Sequence, residues 1–211
     1  MKSRFLTQIP TRAVGPILAV LYLIVTFAFT PWLESAGDYA SYIFEVIFVV
    51  IMWFFYRSRV RFHYNLKRDI FRDIGPGLIG GAAAFLIAKP LGLVIPFDLR
   101  SAEPILFLLL VGPLLEESIF RMALWEPLLE FIKKPYVVLV LTTLLFAYAH
   151  FQAIWFVPPE IHSFVVYQTS YVIPLALFCG LRRIKTGSMT PPIMIHLAFN
   201  MGFFLASFAP L

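Results

Sequence analysis

The stretch Tyr136–Trp155, YVVLVLTTLLFAYAHFQAIW, runs without a lysine, arginine, aspartate or glutamate and holds a single imidazole, His150. Wound as a helix rising 1.5 Å per residue, it covers about 30 Å, the thickness of a bilayer's hydrocarbon core. A soluble protein would have to bury such a segment on every side, and the rest of this chain cannot do so because it has the same character. Of the 211 residues 60% are apolar, 14% are charged, and mean hydropathy is +0.84; soluble domains run near half apolar and about a quarter charged. Twenty-three phenylalanines against 12 acidic residues exclude disorder and fibres. A pI near 9.4 would suit nucleic acid, but the basic residues fall between apolar runs and not on one face, which excludes a nucleic-acid-binding domain. The one cysteine, Cys179, excludes an intramolecular disulfide and a cysteine-based zinc site. The composition implies an all-α polytopic bundle in the lipid bilayer.

Working outward, seven apolar stretches near the ~20 residues a span requires can be drawn. They are Val14–Leu33, Ala40–Tyr56, Ile74–Ile95, Pro104–Trp125, Tyr136–Trp155, Ser163–Leu181 and Thr190–Phe208. Gly75, Gly77, Gly80, Gly81 and Pro90 interrupt the third, which reads as a closely packed span, or as two half-spans that would make eight. No repeat, low-complexity tract or soluble segment breaks the chain, so residues 1–211 read as one integral membrane domain.

Basic residues orient it. With the N-terminus in the cytoplasm, Lys2, Arg4, Arg12, Arg57, Arg59, Arg61, Lys67, Arg68, Arg72, Lys133, Lys134, Arg182, Arg183 and Lys185 fall inside, and only Lys89 and Arg100 outside. Seven spans then put the C-terminus outside, in a multi-pass protein of the cell membrane. The first span is too long for a signal peptide and reads as an uncleaved anchor. The basic connector Arg57–Arg72 is expected to rest on the lipid headgroups.

Ionisable residues within spans are costly, about 2.5–3.5 kcal/mol each at the centre on insertion scales, and mark function by default. Glu116, Glu117 and Arg121 fall in the fourth span, His150 in the fifth, His196 and Asn200 in the seventh. Glu117 and Arg121 are four apart, on one helix face, with the acid N-terminal, so they read as a buried ion pair. Glu116 points about 100° away and is the carboxylate left to work. His196 and Asn200 share a face in the same way. Pro113 removes a backbone donor one turn before Glu116. A buried carboxylate beside an imidazole can deprotonate water, and an imidazole with an amide can stabilise an oxyanion. Glu45, alone in the second span, reads as a structural glutamate, hydrogen-bonded or protonated. Phe146, Phe199, Phe203 and Phe204 either wall the cavity or face lipid, the latter being the plainer expectation. Helix rise from the drawn ends puts His196 ~9 Å and His150 ~21 Å from the inner face, so their meeting demands shifted ends or tilt.

These segments resemble the CPBP family, which groups type II CAAX prenyl endopeptidases with bacteriocin-processing (Abi) intramembrane proteases. Its EExxxR motif reads Glu116-Glu117-Ser118-Ile119-Phe120-Arg121, its FxxxH motif Phe146 to His150, and its HxxxN motif His196 to Asn200. All three occur in order, within residues 104–208, the expected catalytic core. The resemblance implies a glutamate-dependent endopeptidase acting on a membrane-associated protein or peptide, prenylated or C-terminally sorted, without a cofactor or metal. Glu116 would activate water, His150 position it, His196 and Asn200 bind the oxyanion, and Glu117 and Arg121 support them. Three rivals remain in view. A zinc metalloprotease could use two histidines and a glutamate, although no HExxH is present and Arg121 would repel a cation. A proton-coupled transporter could use the same buried groups. A non-proteolytic scaffold or immunity protein could keep the fold without the reaction.

Overall fold

In the computed structural model, which describes residues 11–37 and 39–209, helix follows helix, and no strand occurs among the described residues. Lys2 and Arg4 of the orienting set lie outside the described residues, as do the side chains of Arg12, Lys67 and Arg68. The first expected span divides into α1 (Thr11–Ala28) and a short α2 (Thr30–Ser35). The second is α3 (Ala40–Tyr56). The third, α4 (Leu66–Ala88), runs unbroken through Gly75 and Pro76 and stops before Pro90, so it is not two half-spans. The fourth is one winding of mixed pitch: α5 (Ala102–Leu106), a π turn (Phe107–Val111), α6 (Gly112–Ser118) and a second π turn (Ile119–Ala123). There follow α7 (Trp125–Ile132), α8 (Pro135–Phe151), α9 (His162–Thr186) and α10 (Thr190–Ala206).

Three segments, Asp69–Ala88, Pro135–Trp155 and Pro159–Thr186, are long and apolar enough to cross a membrane; Ala13–Ala28, Ala40–Tyr56 and Thr190–Ala206 are apolar but shorter. Their outer faces carry bare hydrocarbon: Ile17, Leu21 and Ile24 on α1, Ile43, Ile47, Val50 and Phe54 on α3, Val137, Val140 and Leu144 on α8 are all exposed. Contiguous apolar surface on this scale is foreign to a soluble monomer and belongs in lipid. This is a helical membrane protein.

Glycine explains how α4 and α10 lie together. A β-carbon at Gly81 would sit 1.7 Å from the carbonyl oxygen of Phe199, and one at Gly202 would sit 2.1 Å from that of Leu78. The two backbones therefore touch, which in lipid is how van der Waals packing holds helices without a hydrophobic driving force.

The turn from α9 to α10 resolves the mismatch in depth between His150 and His196. Gly187, at φ 64°, ends α9 in the left-handed conformation that favours glycine. The chain then tucks inward: Ser188 and Met189 are fully buried. The connector after α3 covers them. The His63 N–H donates to Ser188 Oγ at 2.9 Å, the Ser188 hydroxyl donates to the His63 carbonyl at 2.8 Å, and the Met189 N–H donates to the Arg61 carbonyl at 2.9 Å. So α10 starts beneath a cover of backbone and not at the surface, which raises His196 toward His150. The main chain of the connector, expected only to rest on headgroups, closes this end of the bundle.

Candidate active site

Leu108 is where local backbone chemistry begins to build the site. In an α-helix its carbonyl would accept from the Gly112 N–H. The π turn gives that N–H to Phe107 instead. The next candidate donor, at the π spacing, is Pro113, which has none. The freed Leu108 carbonyl accepts a hydrogen bond from Asn200 Nδ2 at 2.7 Å. One proline and one π turn thus tie the HxxxN segment of α10 to the helix bearing Glu116.

One turn on, the two adjacent glutamates part. Glu117 is fully buried; its Oε2 lies 3.4 Å from Nε of the equally buried Arg121, and its Oε1 accepts from His196 Nδ1 at 3.0 Å. Arg121 also donates through Nη2 to the Ala176 carbonyl at 3.0 Å, and its guanidinium lies 5.2 Å from the centre of the Phe146 ring. The carboxylate is therefore held between a fixed cation and an imidazole, and its charge has a partner on each side. Glu116 points the other way, with 32% of its side chain exposed; its Oε2 stands 3.6 Å from His196 Nε2, and that oxygen, though buried, has no hydrogen-bond partner. The gap is beyond a direct hydrogen bond.

His150 Nδ1 lies 3.0 Å from the Phe146 carbonyl in its own helix. A carbonyl only accepts, so Nδ1 carries the proton and neutral His150 keeps a lone pair on Nε2. Phe146 is the hub between the histidines, 4.6 Å from the His150 ring and 5.9 Å edge-on to that of His196. Glu116, His150, His196 and Asn200 all line one cavity of about 590 Å³. Phe199 and Phe203 wall the same cavity and Phe146 is buried, so these three face inward and not into lipid as the plainer expectation had it. Tyr39, Phe97 and Glu103 stand at its mouth, with Tyr39 hydrogen-bonded to Glu103. Tyr39 and Phe97 belong to the segments joining α2 to α3 and α4 to α5, and Glu103 to the first turn of α5, at the end of the bundle opposite the basic connector. Among the described residues no group of three or more His, Cys, Asp or Glu side chains stands where it could hold a metal ion.

The geometry brings together all six residues named from the sequence. Residues 100–202, which contain them, match a family model described as Type II CAAX prenyl endopeptidase Rce1-like. This segment is similar to that family. No curated protein and no solved structure matches the chain. The Rce1-like family is one of CAAX-type intramembrane proteases, and α5 through most of α10 form its segment here. The helices α1, α3 and α4 lie outside the match, yet α3 supplies a side chain that the sequence reading left as structural. Glu45 lines a smaller chamber of about 260 Å³ behind the candidate site, a chamber that Glu116 and His150 also line. An ionisable residue in an apolar span was signal enough to find it; its distance in sequence from the three motifs hid the connection.

Proposed function

We propose that this chain is an intramembrane endopeptidase that hydrolyses a peptide bond of a membrane-associated protein with a water activated by Glu116. The observation that carries this reading is the opposite fate of two adjacent carboxylates. Glu117 is fully buried between Arg121 and His196, while Glu116 is partly exposed and lines the cavity. Water bound there lies against a base in a low-dielectric chamber. Glu116 takes one proton as the water oxygen adds to the peptide carbonyl carbon, and that proton passes to the leaving amine as the C–N bond breaks. His150, with its Nε2 lone pair, accepts the water's other hydrogen and orients it. His196 donates Nδ1–H to Glu117; when Nε2 is protonated as well, the ring is a cation that the Glu117 carboxylate stabilises, and it donates toward the oxyanion. Asn200 spends one amide hydrogen on Leu108 and has its second for the same oxyanion. Before Glu116 takes that proton, the charges of Glu116, Glu117, Arg121 and a protonated His196 sum to zero, which favours their burial.

The basic residues support a cytoplasmic N-terminus and seven spans in the cell membrane, with the C-terminus outside. In that orientation the cavity mouth, at the end away from the basic loops, faces outside the cytoplasm. Substrates would be peptide segments on that side. Single cysteines at Ser101 and Lys134 read this directly: a membrane-impermeant maleimide should label position 101 and spare 134 in intact cells, and the reverse pattern would invert the orientation.

The function is tested with protein reconstituted in lipid and stripped of metal, offered a library of membrane-anchored peptides. Cleavage should survive the chelator and vanish in Glu116→Gln. Activity lost to chelator and restored by zinc would overturn the glutamate mechanism, as would full activity in Glu116→Gln.

A further inference from the structure

The smaller chamber is polar where lipid-embedded protein is usually apolar. Tyr22, Thr26, Ser41, Tyr42, Glu45 and Gln152 all contribute to its lining, and it shares Glu116, His150, Gly112 and Tyr42 with the larger cavity as a common wall. The Tyr22 hydroxyl reaches Glu45 Oε1 at 3.5 Å, the outer limit of a hydrogen bond. Tyr22 itself is clamped, stacked on Phe48 with ring centres 4.1 Å apart and the planes 11° from parallel. Among the residues that line it, two buried oxygens lack a hydrogen bond of acceptable geometry: Glu116 Oε2, and Thr26 Oγ1 beside the Tyr22 hydroxyl.

Buried polar atoms without partners are rare because each costs about 1–3 kcal/mol, and where they gather around a space large enough, ordered water supplies the missing bonds. A chamber of about 260 Å³ has room for several waters at ~30 Å³ each. The larger cavity, bounded by Phe97, Phe199, Phe203 and Tyr171, suits an apolar peptide segment, whose arrival there would expel water.

We infer that the smaller chamber is a water site serving Glu116 from the side opposite the peptide, with Glu45, Tyr22 and Thr26 as the groups that hold the water. Hydrolysis consumes one water per bond, and a site filled with substrate from the front needs a supply from behind. This inference rests on the proteolytic reading for its purpose, though not for its physical content. Glu45 does not touch the scissile bond; it is a positioning residue that acts through the water delivered to Glu116.

The test uses the full chain in lipid nanodiscs and two separate readouts. X-ray radiolytic hydroxyl-radical labelling reports bound water beside a side chain. Tyr22, only 3% exposed, should be labelled in the wild type. Its labelling should fall at least ~5-fold in Thr26→Ile, which replaces a hydroxyl that holds the water with hydrocarbon. Fully buried Tyr56 should react alike in both proteins. In peptide cleavage, Thr26→Ile and Glu45→Leu should lower kcat at least ~10-fold with KM within about 2-fold, while Glu45→Gln, still able to hold water, stays within ~3-fold of wild type. Unlabelled Tyr22 in the wild type, or a raised KM with kcat untouched, would overturn the water site. A labelled chamber in a protein that cleaves nothing keeps the water site and removes the protease; a dry chamber in an active protease does the reverse.

Discussion

Glu117→Gln separates two duties that one carboxylate performs. The substitution keeps the side chain's size and removes its charge, stranding Arg121, which is 1% exposed and whose guanidinium otherwise donates to the Ala176 carbonyl. Breaking a buried ion pair from one side costs about 3–5 kcal/mol, because the remaining charge stays desolvated without compensation. The same substitution strips His196 of the anion 3.0 Å from Nδ1. An amide N–H turned toward Nδ1 would also force that nitrogen to accept and so exchange the tautomer, a change of the kind that costs ~10²-fold or more in comparable carboxylate–imidazole pairs. Adding Arg121→Met removes the stranded cation and fills its volume with an apolar chain, so stability should return to within ~1 kcal/mol of wild type. Activity should not return, since His196 still lacks its carboxylate. Unfolding by SDS in mixed micelles, followed by tryptophan fluorescence, gives the first quantity, and cleavage of the best library peptide gives the second. A double variant as active as wild type would reduce Glu117 to a brace and refute the argument for His196. A Glu117→Gln loss below about 1 kcal/mol would refute the buried ion pair itself.

Two further perturbations test the framework. Asn200→Leu leaves the Leu108 carbonyl without its donor and should cost ~1–3 kcal/mol in the same SDS titration; a second substitution, Pro113→Ala, supplies an N–H at the π spacing and should recover part of that loss without restoring cleavage. Full stability in Asn200→Leu alone would show that the carbonyl has another partner. At the helix contact, Gly81→Ala drives a methyl to 1.7 Å from backbone and must part α4 from α10, whereas Gly75, with nothing within 4 Å, should gain about 0.5–1 kcal/mol as alanine. Equal effects at the two glycines would contradict the close approach.

Much of the fold could be read in advance because lipid simplifies the problem: with no water to satisfy backbone groups, an apolar run of span length must be helix. Ala40–Tyr56 matches α3 at both ends for that reason. The ends that moved are those where polar chemistry competes with hydropathy. Helix α9 continues past Leu181 to Thr186 because Arg182 and Arg183 do not enter water there. Arg182 Nε pairs with Asp73 at 2.5 Å and Arg183 Nη2 with Glu126 at 2.7 Å, so buried partners carry the helix beyond its apolar stretch. Likewise α4 begins eight residues before Ile74, with Asp69 and Asp73 turned to Arg182. Such pairs join residues 57 to 113 positions apart, and no local pattern announces them.

The candidate site divides along the same line. Spacing alone set Glu117 against Arg121 and left Glu116 free, since an α-helix fixes which neighbours can meet. Spacing could not say that His196 would bind Glu117 more closely than Glu116, at 3.0 Å against 3.6 Å, because that depends on how far α10 is lifted. The lift comes from Ser188, whose hydroxyl is enclosed by the connector's backbone 125 residues earlier in the chain. Pro113 was legible as a missing donor, but the consequence required a π turn, which turns one absent N–H into one available carbonyl. The two devices work toward the same end. A buried turn raises α10, and an orphaned carbonyl catches Asn200 one turn above His196. Between these anchors His196 has little freedom but to lie across Glu116 and Glu117, so the precision of the site comes from backbone hydrogen bonds that are remote from the motifs they serve.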